Sequence, residues 1–202
     1  MTAALVFQLI VLIFSIMVHE IAHGAVALKL GDDTAQKLGR LTLNPLKHID
    51  PVGSVILPLL LLTFNSPFLF GWAKPVPYDP NRLKNPKTGA ALIALAGPIS
   101  NLILALIFGL FLRFDFLPSG PSALFASIIY LNILLAVFNL VPIPPLDGSK
   151  LLFYFIPRQF HRLQAMLEMY GSLFLLFFII WGFGWIAPII QYLFEFIVGQ
   201  PI

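Results

Sequence analysis

Cysteine is absent from all 202 residues, so no disulfide can staple this chain and no thiolate can hold a metal in it. Any metal must sit on histidine and carboxylate. Charge is scarce as well: Asp, Glu, Lys and Arg make up 10% of the sequence, against roughly a quarter of an average soluble domain. The net charge of +3 is too small for a nucleic-acid footprint, and no nucleic acid is expected as a partner. No polar stretch is long enough for a second soluble domain, which makes residues 1–202 a single transmembrane domain. The first apolar run has no basic residue before it and no small-residue cleavage site after it, so a cleaved signal peptide is not expected.

What fills the sequence is apolar: 59% hydrophobic residues, 20 of them Phe, and a mean hydropathy of +0.93. Such a chain needs lipid as its solvent. Helices satisfy their own backbone in a bilayer and need about 20 apolar residues to cross it. The sequence predicts an all-α polytopic membrane protein with five to six transmembrane helices, the clearest at residues 3–29, 88–113, 121–140, 164–181 and 185–198. Between 39 and 78, frequent Asn-Pro, Asp-Pro and Lys-Pro steps interrupt any span. A short helix at 52–64 and a re-entrant, β-hairpin-like segment near 66–78 are expected there. Eleven of the twelve basic residues fall in loops that this topology places on one face, leaving Arg113 on the other. By the preference of Lys and Arg for the cytoplasm, the N-terminus lies outside.

Against this background His19-Glu20-Ile21-Ala22-His23 stands out, because it sets two imidazoles at i and i+4 on one helix face with a carboxylate beside them. That is zinc-ligand spacing. Counting back from Lys29 at about 1.5 Å per residue puts His23 roughly 9 Å and His19 roughly 15 Å inside the membrane. Ionisable groups at such depth are costly and point to function. The plainer alternative is hydrogen bonding within the bundle. His19 and His23 are read as zinc ligands and Glu20 as general base for the attacking water; a catalytic site needs a third ligand. Asp147, after the proline-stiffened run Pro142-Ile143-Pro144-Pro145-Leu146, is either a fixed carboxylate or a turn-forming Asp-Gly.

Together, His19-Glu20-Ile21-Ala22-His23 and Asn139-Leu140-Val141-Pro142-Ile143-Pro144-Pro145-Leu146-Asp147-Gly148 resemble the site-2 protease family of intramembrane metalloproteases. Asn44-Pro45-Leu46-Lys47-His48-Ile49-Asp50-Pro51, Gly71-Trp72-Ala73-Lys74-Pro75-Val76-Pro77 and Ala96-Gly97-Pro98-Ile99-Ser100-Asn101 follow the family pattern in family order. The resemblance covers about residues 15–150 and implies that Asp147 is the third ligand of one Zn²⁺ per chain. It further implies a multi-pass cell-membrane protease that cuts single-span membrane proteins in regulated intramembrane proteolysis. Many relatives carry a PDZ or CBS domain, for which this sequence has no room.

Ala90, Ala94, Gly97, Asn101 and Ala105 follow helical spacing and form a small-residue face that lets helices approach closely. Asn101 is thereby either an oxyanion donor at the metal or an interhelical hydrogen bond. Asn139 is a candidate substrate-positioning residue, and His48 a loop histidine. The zinc site should lie nearer the cytoplasmic side, with the stretch 68–76 pairing an unwound substrate as an added strand. The alternative function is a metal-ion transporter or channel, which would favour ionisable residues at several depths rather than near one face.

Overall fold

Helix termination, not helix formation, gives this fold its shape. The computed structural model describes residues 3–56, 59–60, 63–64, 74–114 and 122–199, and no strand occurs among them. Helix α1 (Ala3–Lys29) has 27 residues, about 40 Å at 1.5 Å per residue, enough to cross a hydrocarbon core of about 30 Å. It ends where Gly31 turns to φ +104°, with the Asp32 N–H reaching back to Ala27 and that of Gly31 to Leu28. This is a Schellman closure, which glycine permits without strain. Gly39 (φ +62°) closes the single-turn α2 (Thr34–Lys37) in the same way, with the Arg40 N–H bonded to the Ala35 carbonyl.

The second long helix, α3 (Pro86–Arg113), starts with Asn85 as N-cap, its side chain accepting from the Thr88 N–H, and Pro86 in the first turn. α4 (Ser122–Asn139) and the short α5 (Asp147–Phe155) follow. α6 (His161–Phe177) and α7 (Phe183–Val198) are joined by a π-helical turn, Phe178–Gly182, into one run of 38 residues. The segments expected separately at 164–181 and 185–198 are therefore continuous: Gly182 and Gly184 lie within helix instead of ending it. Four helices among the described residues are long and apolar enough to cross a membrane: α1, α3, α4 and the α6–α7 run. The expected helix at 52–64 is described in part, as the π-helical stretch Pro51–Ile56. Of the expected hairpin, residues 66–73 lie outside the described residues, and 74–79 run without regular structure.

The spans alternate in direction. Ser15, His19 and His23 of α1 meet Asn101, Gly97 and Ile93 of α3 in reverse order, so the pair is antiparallel. Phe125 near the start of α4 packs on Phe108 near the end of α3, ring centroids 5.3 Å apart, while Asn132 meets Asn101 further along. At the ends of α3 and α7, Arg113 donates to the Phe196 carbonyl at 2.8 Å, so these two run parallel. The end of α1, the start of α3, the end of α4 and the start of α6 consequently share one face.

α3 is the central post. Gly89, Ala94, Gly97, Asn101, Ala105 and Gly109 are buried along it, and the small residues let α1 and α7 approach its backbone. Outward-facing Ile99, Ile103, Leu106 and Leu110 remain exposed for lipid. A Cβ at Gly109 would overlap the Ile197 side chain, whereas one at Gly184 meets nothing within 4 Å. Gly109→Val should therefore cost about 1–3 kcal/mol through overpacking, and Gly184→Ala should be neutral or stabilising. Thermal unfolding in detergent checks the pair; equal effects would refute the packing assigned to α3 and α7.

Candidate metal centre

One helical turn separates His19 from His23, so both rings leave the same side of α1, with centroids 4.6 Å apart. What each ring does is fixed by its other nitrogen. The Asn101 amide nitrogen faces the Ser15 carbonyl at 3.2 Å and the Asn132 side-chain oxygen at 2.9 Å. A carbonyl can only accept, so the Asn101 oxygen must be the atom turned to His19, and His19 Nδ1–H donates to it at 2.7 Å. His23 Nδ1–H donates to the Ile93 carbonyl at 2.6 Å. That carbonyl lies one residue before Ala94, whose own intrahelical donor is removed by Pro98. Both rings thus present bare Nε2 lone pairs.

Asp147 meets them from the other end of the sequence. Its Oδ2 lies 3.0 Å from His19 Nε2 and 3.3 Å from His23 Nε2, and it is buried with no hydrogen-bond partner. The candidate ligand atoms of the three residues all lie within 4.8 Å of one another. With each neutral imidazole carrying its one proton on Nδ1, three electron-pair donors converge on one point. A cation relieves that repulsion, and two nitrogens with one carboxylate oxygen suit zinc. Two glycines make the room. A Cβ on Gly97 would sit 2.5 Å from Nε2 of both histidines, and one on Gly148 would overlap the carbonyls of Leu140 and Val141, against which the first turn of α5 folds.

Glu20 points to a different neighbour: its Oε2 accepts the Val76 N–H at 2.7 Å. The irregular segment 74–79 that carries this donor is tied down along its length. Arg40, buried, donates to the carbonyls of Lys47, Lys74 and Pro75, the last two at 2.9 and 3.2 Å. The Lys74 N–H donates to the His48 carbonyl at 2.9 Å, and the Asp79 N–H to Asp32 Oδ2 at 2.6 Å. Val76 itself packs over Gly24, one turn beyond Glu20. Burial alone would raise the Asp32 carboxyl, but hydrogen bonds from Thr34 and Asp79, with Arg82 nearby, hold it below the usual carboxylate range.

The remaining sequence candidates fall elsewhere. Asn101 is fully buried behind His19 with both amide hydrogens engaged, so it has no donor left to offer an oxyanion. The Asn139 side chain donates to the Leu135 carbonyl of its own helix. The His48 ring is buried and bonded through Nε2 to the Thr42 carbonyl. Ser15, Asn132, Gly97, Ile93, Arg40 and Val76 were not legible as site residues. Ser15 and Asn132 carried a signal, being polar within apolar spans; a main-chain carbonyl or N–H carries none.

Two outcomes follow from this geometry. Gly97→Ala should leave the helices folded and lower zinc affinity by about 10–100-fold, the range for disturbing a ligand's surroundings; metal analysis of the purified protein reads it, and full zinc content would refute the cradle. Asp32→Ala should cost about 1–3 kcal/mol at neutral pH by orphaning the N–H groups of Thr34 and Asp79. Because the native carboxyl is depressed, its contribution is present above the ordinary range and lost as pH falls below about 4. Melting curves of wild type and variant should therefore converge in acid; a gap that widens there contradicts the assignment.

Comparison with known proteins gives a consistent picture. The model of peptidase family M50 matches residues 114–180, which include Asp147 but not His19 to His23. The candidate zinc metalloprotease YwhC of Bacillus subtilis (strain 168) is 41% identical over 184 residues, 86% of this chain and 80% of that protein. Rip2 of Mycolicibacterium smegmatis, also named as a candidate zinc metalloprotease, is 29% identical over 91% of this chain and 71% of its own. The zinc metalloprotease MJ0392 of Methanocaldococcus jannaschii is 22% identical over 77% of this chain and 36% of its own. No solved structure gives a significant match.

Proposed function

The chain belongs to peptidase family M50, the site-2 protease family, and from that premise we propose that it hydrolyses peptide bonds of membrane-spanning proteins within or close to the bilayer. It is a zinc metalloprotease and a multi-pass membrane protein. The observation that carries the site reading is the unpartnered Asp147 oxygen facing Nε2 of two imidazoles whose Nδ1 atoms are engaged elsewhere. His19, His23 and Asp147 would hold the ion, and zinc bound there would supply a Lewis acid for the scissile carbonyl and lower the pKa of the attacking water.

The protein's own groups do the rest. Val76 fixes one oxygen of the Glu20 carboxylate, leaving the other to take a proton from water and return it to the departing amine. Asn101 and the Ile93 carbonyl keep the ring protons on Nδ1, so the ligand nitrogens stay aimed at one point. Asn101 is thus a positioning residue.

The substrates in this reading are single-span proteins cut in regulated intramembrane proteolysis. A substrate helix must unwind first, since its carbonyls are hydrogen-bonded along the helix. The described part of the expected pairing strand has little to offer it: the N–H groups of Lys74 and Val76 are engaged, and Pro75 and Pro77 have none. Pairing would then rest on the residues before 74. The face shared by the end of α1 and the start of α3 is also the basic one, which supports a cytoplasmic zinc side and an external N-terminus. A transporter reading fares worse, because His19, His23 and Asp147 are the single potential metal cluster among the described residues.

Cleavage of a tagged single-span substrate by purified protein separates the roles. Glu20→Gln should lose at least about 100-fold in rate while keeping its zinc. Asn101→Ala should bind zinc about 10–100-fold more weakly, with the rate recovered at excess zinc. A loss in Asn101→Ala that zinc does not recover would restore the oxyanion role, and an active Glu20→Gln would sink the mechanism.

A further inference from the structure

Where α3, α5 and α6 meet, a cavity of about 530 Å³ opens, separate from the metal cluster. The side chains able to donate hydrogen bonds into it are Tyr78, Lys87, Lys150, His161 and Gln164, and no carboxylate lines it. An acid outside the lining, Glu168, stands 3.7 Å from the Lys150 ammonium, and both groups are partly exposed. Lys87 spends one of its three protons on the Ile156 carbonyl at 2.8 Å and lies over the Tyr154 ring. Pro86 and His161, the first residues of α3 and α6, also line the cavity, so the positive ends of two helix dipoles add to the lysines. Cations, neutral donors and apolar walls without an acid describe a site for an anion with an attached apolar body.

Its depth indicates which anion. α3 and the α6–α7 run are both long enough to cross a membrane, and both begin at this cavity. Two spans that start together mark the level where hydrocarbon gives way to headgroups. The α6–α7 run has 38 residues, about 57 Å if straight, and α3 about 42 Å. Since their other ends also meet, at Arg113 and Phe196, the longer run cannot lie straight beside α3; the π turn at Phe178–Gly182 is where such a helix bends. α6 is thinly attached, with only Gly171 and Leu175 buried.

We propose that this cavity is a binding site for the phosphate of an anionic phospholipid headgroup, which joins the start of α6 to α3 and α5 through Lys87, Lys150, His161 and Gln164. The lipid acts as a staple for α6, which few buried side chains attach to the rest of the bundle. Lys150 lies on α5 one turn after Asp147, so the staple steadies the short helix that carries that carboxylate. The proposal does not depend on the proteolytic reading, and its test leaves cleavage aside.

Full-length protein in neutral detergent is titrated with short-chain phosphatidylglycerol, with short-chain phosphatidylcholine and with inorganic phosphate, and thermal unfolding is followed. Phosphatidylglycerol should raise the midpoint saturably, with little effect from the other two at equal concentration. Lys87→Gln and Lys150→Gln should each weaken that response at least about fivefold, while Lys150→Arg retains it. Lys150→Gln guards against a folding defect in Lys87→Gln, whose ammonium also holds Ile156. Native mass spectrometry should show the retained lipid lost from the Gln variants. An equal shift with phosphatidylcholine, an unchanged response in both Gln variants, or no shift at all would overturn the site; a saturable shift with inorganic phosphate alone would overturn its assignment to a lipid.

Discussion

Polar groups can sit between apolar helices only if each finds a partner, because neither lipid nor the bundle interior offers water in exchange. The interior of this protein is organised around that constraint. Ser15, Asn101 and Asn132 come from three different helices and bond to one another, with Asn132 also donating to the Ile128 carbonyl of its own helix, and the Asn101 oxygen is spent on His19. The network locks the helices in register and, by the same bonds, selects the tautomer of a candidate ligand. Stability and site geometry rest here on one set of hydrogen bonds, with Asn101 of α3 at its centre.

Two buried side-chain atoms among the described residues have no hydrogen-bond partner, His48 Nδ1 and Asp147 Oδ2, and the second is informative. Asp147 Oδ2 is buried and unpaired while every polar atom behind the two imidazoles is paired. Room for it comes from what is missing: no side chain at Gly97, none at Gly148. Around this centre the irregular segments are held by main-chain bonding to a few buried polar side chains. Arg40 gathers carbonyls from two loops and Asp32 gathers N–H groups, and between them the Val76 N–H is delivered to Glu20. A buried guanidinium with several fixed donors suits such bracing better than a flexible ammonium.

The comparison between sequence and structure divides along the range of the interactions. Apolar length marked α1, α3 and α4 to within two residues, since each residue's preference for lipid acts independently of the fold. It divided the C-terminal run at 182–184, where Gly182 and Gly184 are carried inside a continuous helix; glycine disfavours a helix only mildly. Asn101 illustrates the same limit. Spacing put it on the small-residue face, and both of its candidate roles were consistent with that; only the positions of Ser15 and Asn132 reveal that its amide hydrogens are already used.

The sequence by itself therefore determined the solvent, the principal spans, the basic face and the paired imidazoles, because hydropathy is a sum over single residues and the i, i+4 relation lies within one helix. Tertiary structure alone decided the tautomers, the convergence of Asp147 on His19 and His23, the bracing of Glu20 by Val76 and the cavity at the start of α6. Each of these joins groups far apart along the chain, two of them through main-chain atoms that every residue possesses, and such contacts exist only once the helices have packed.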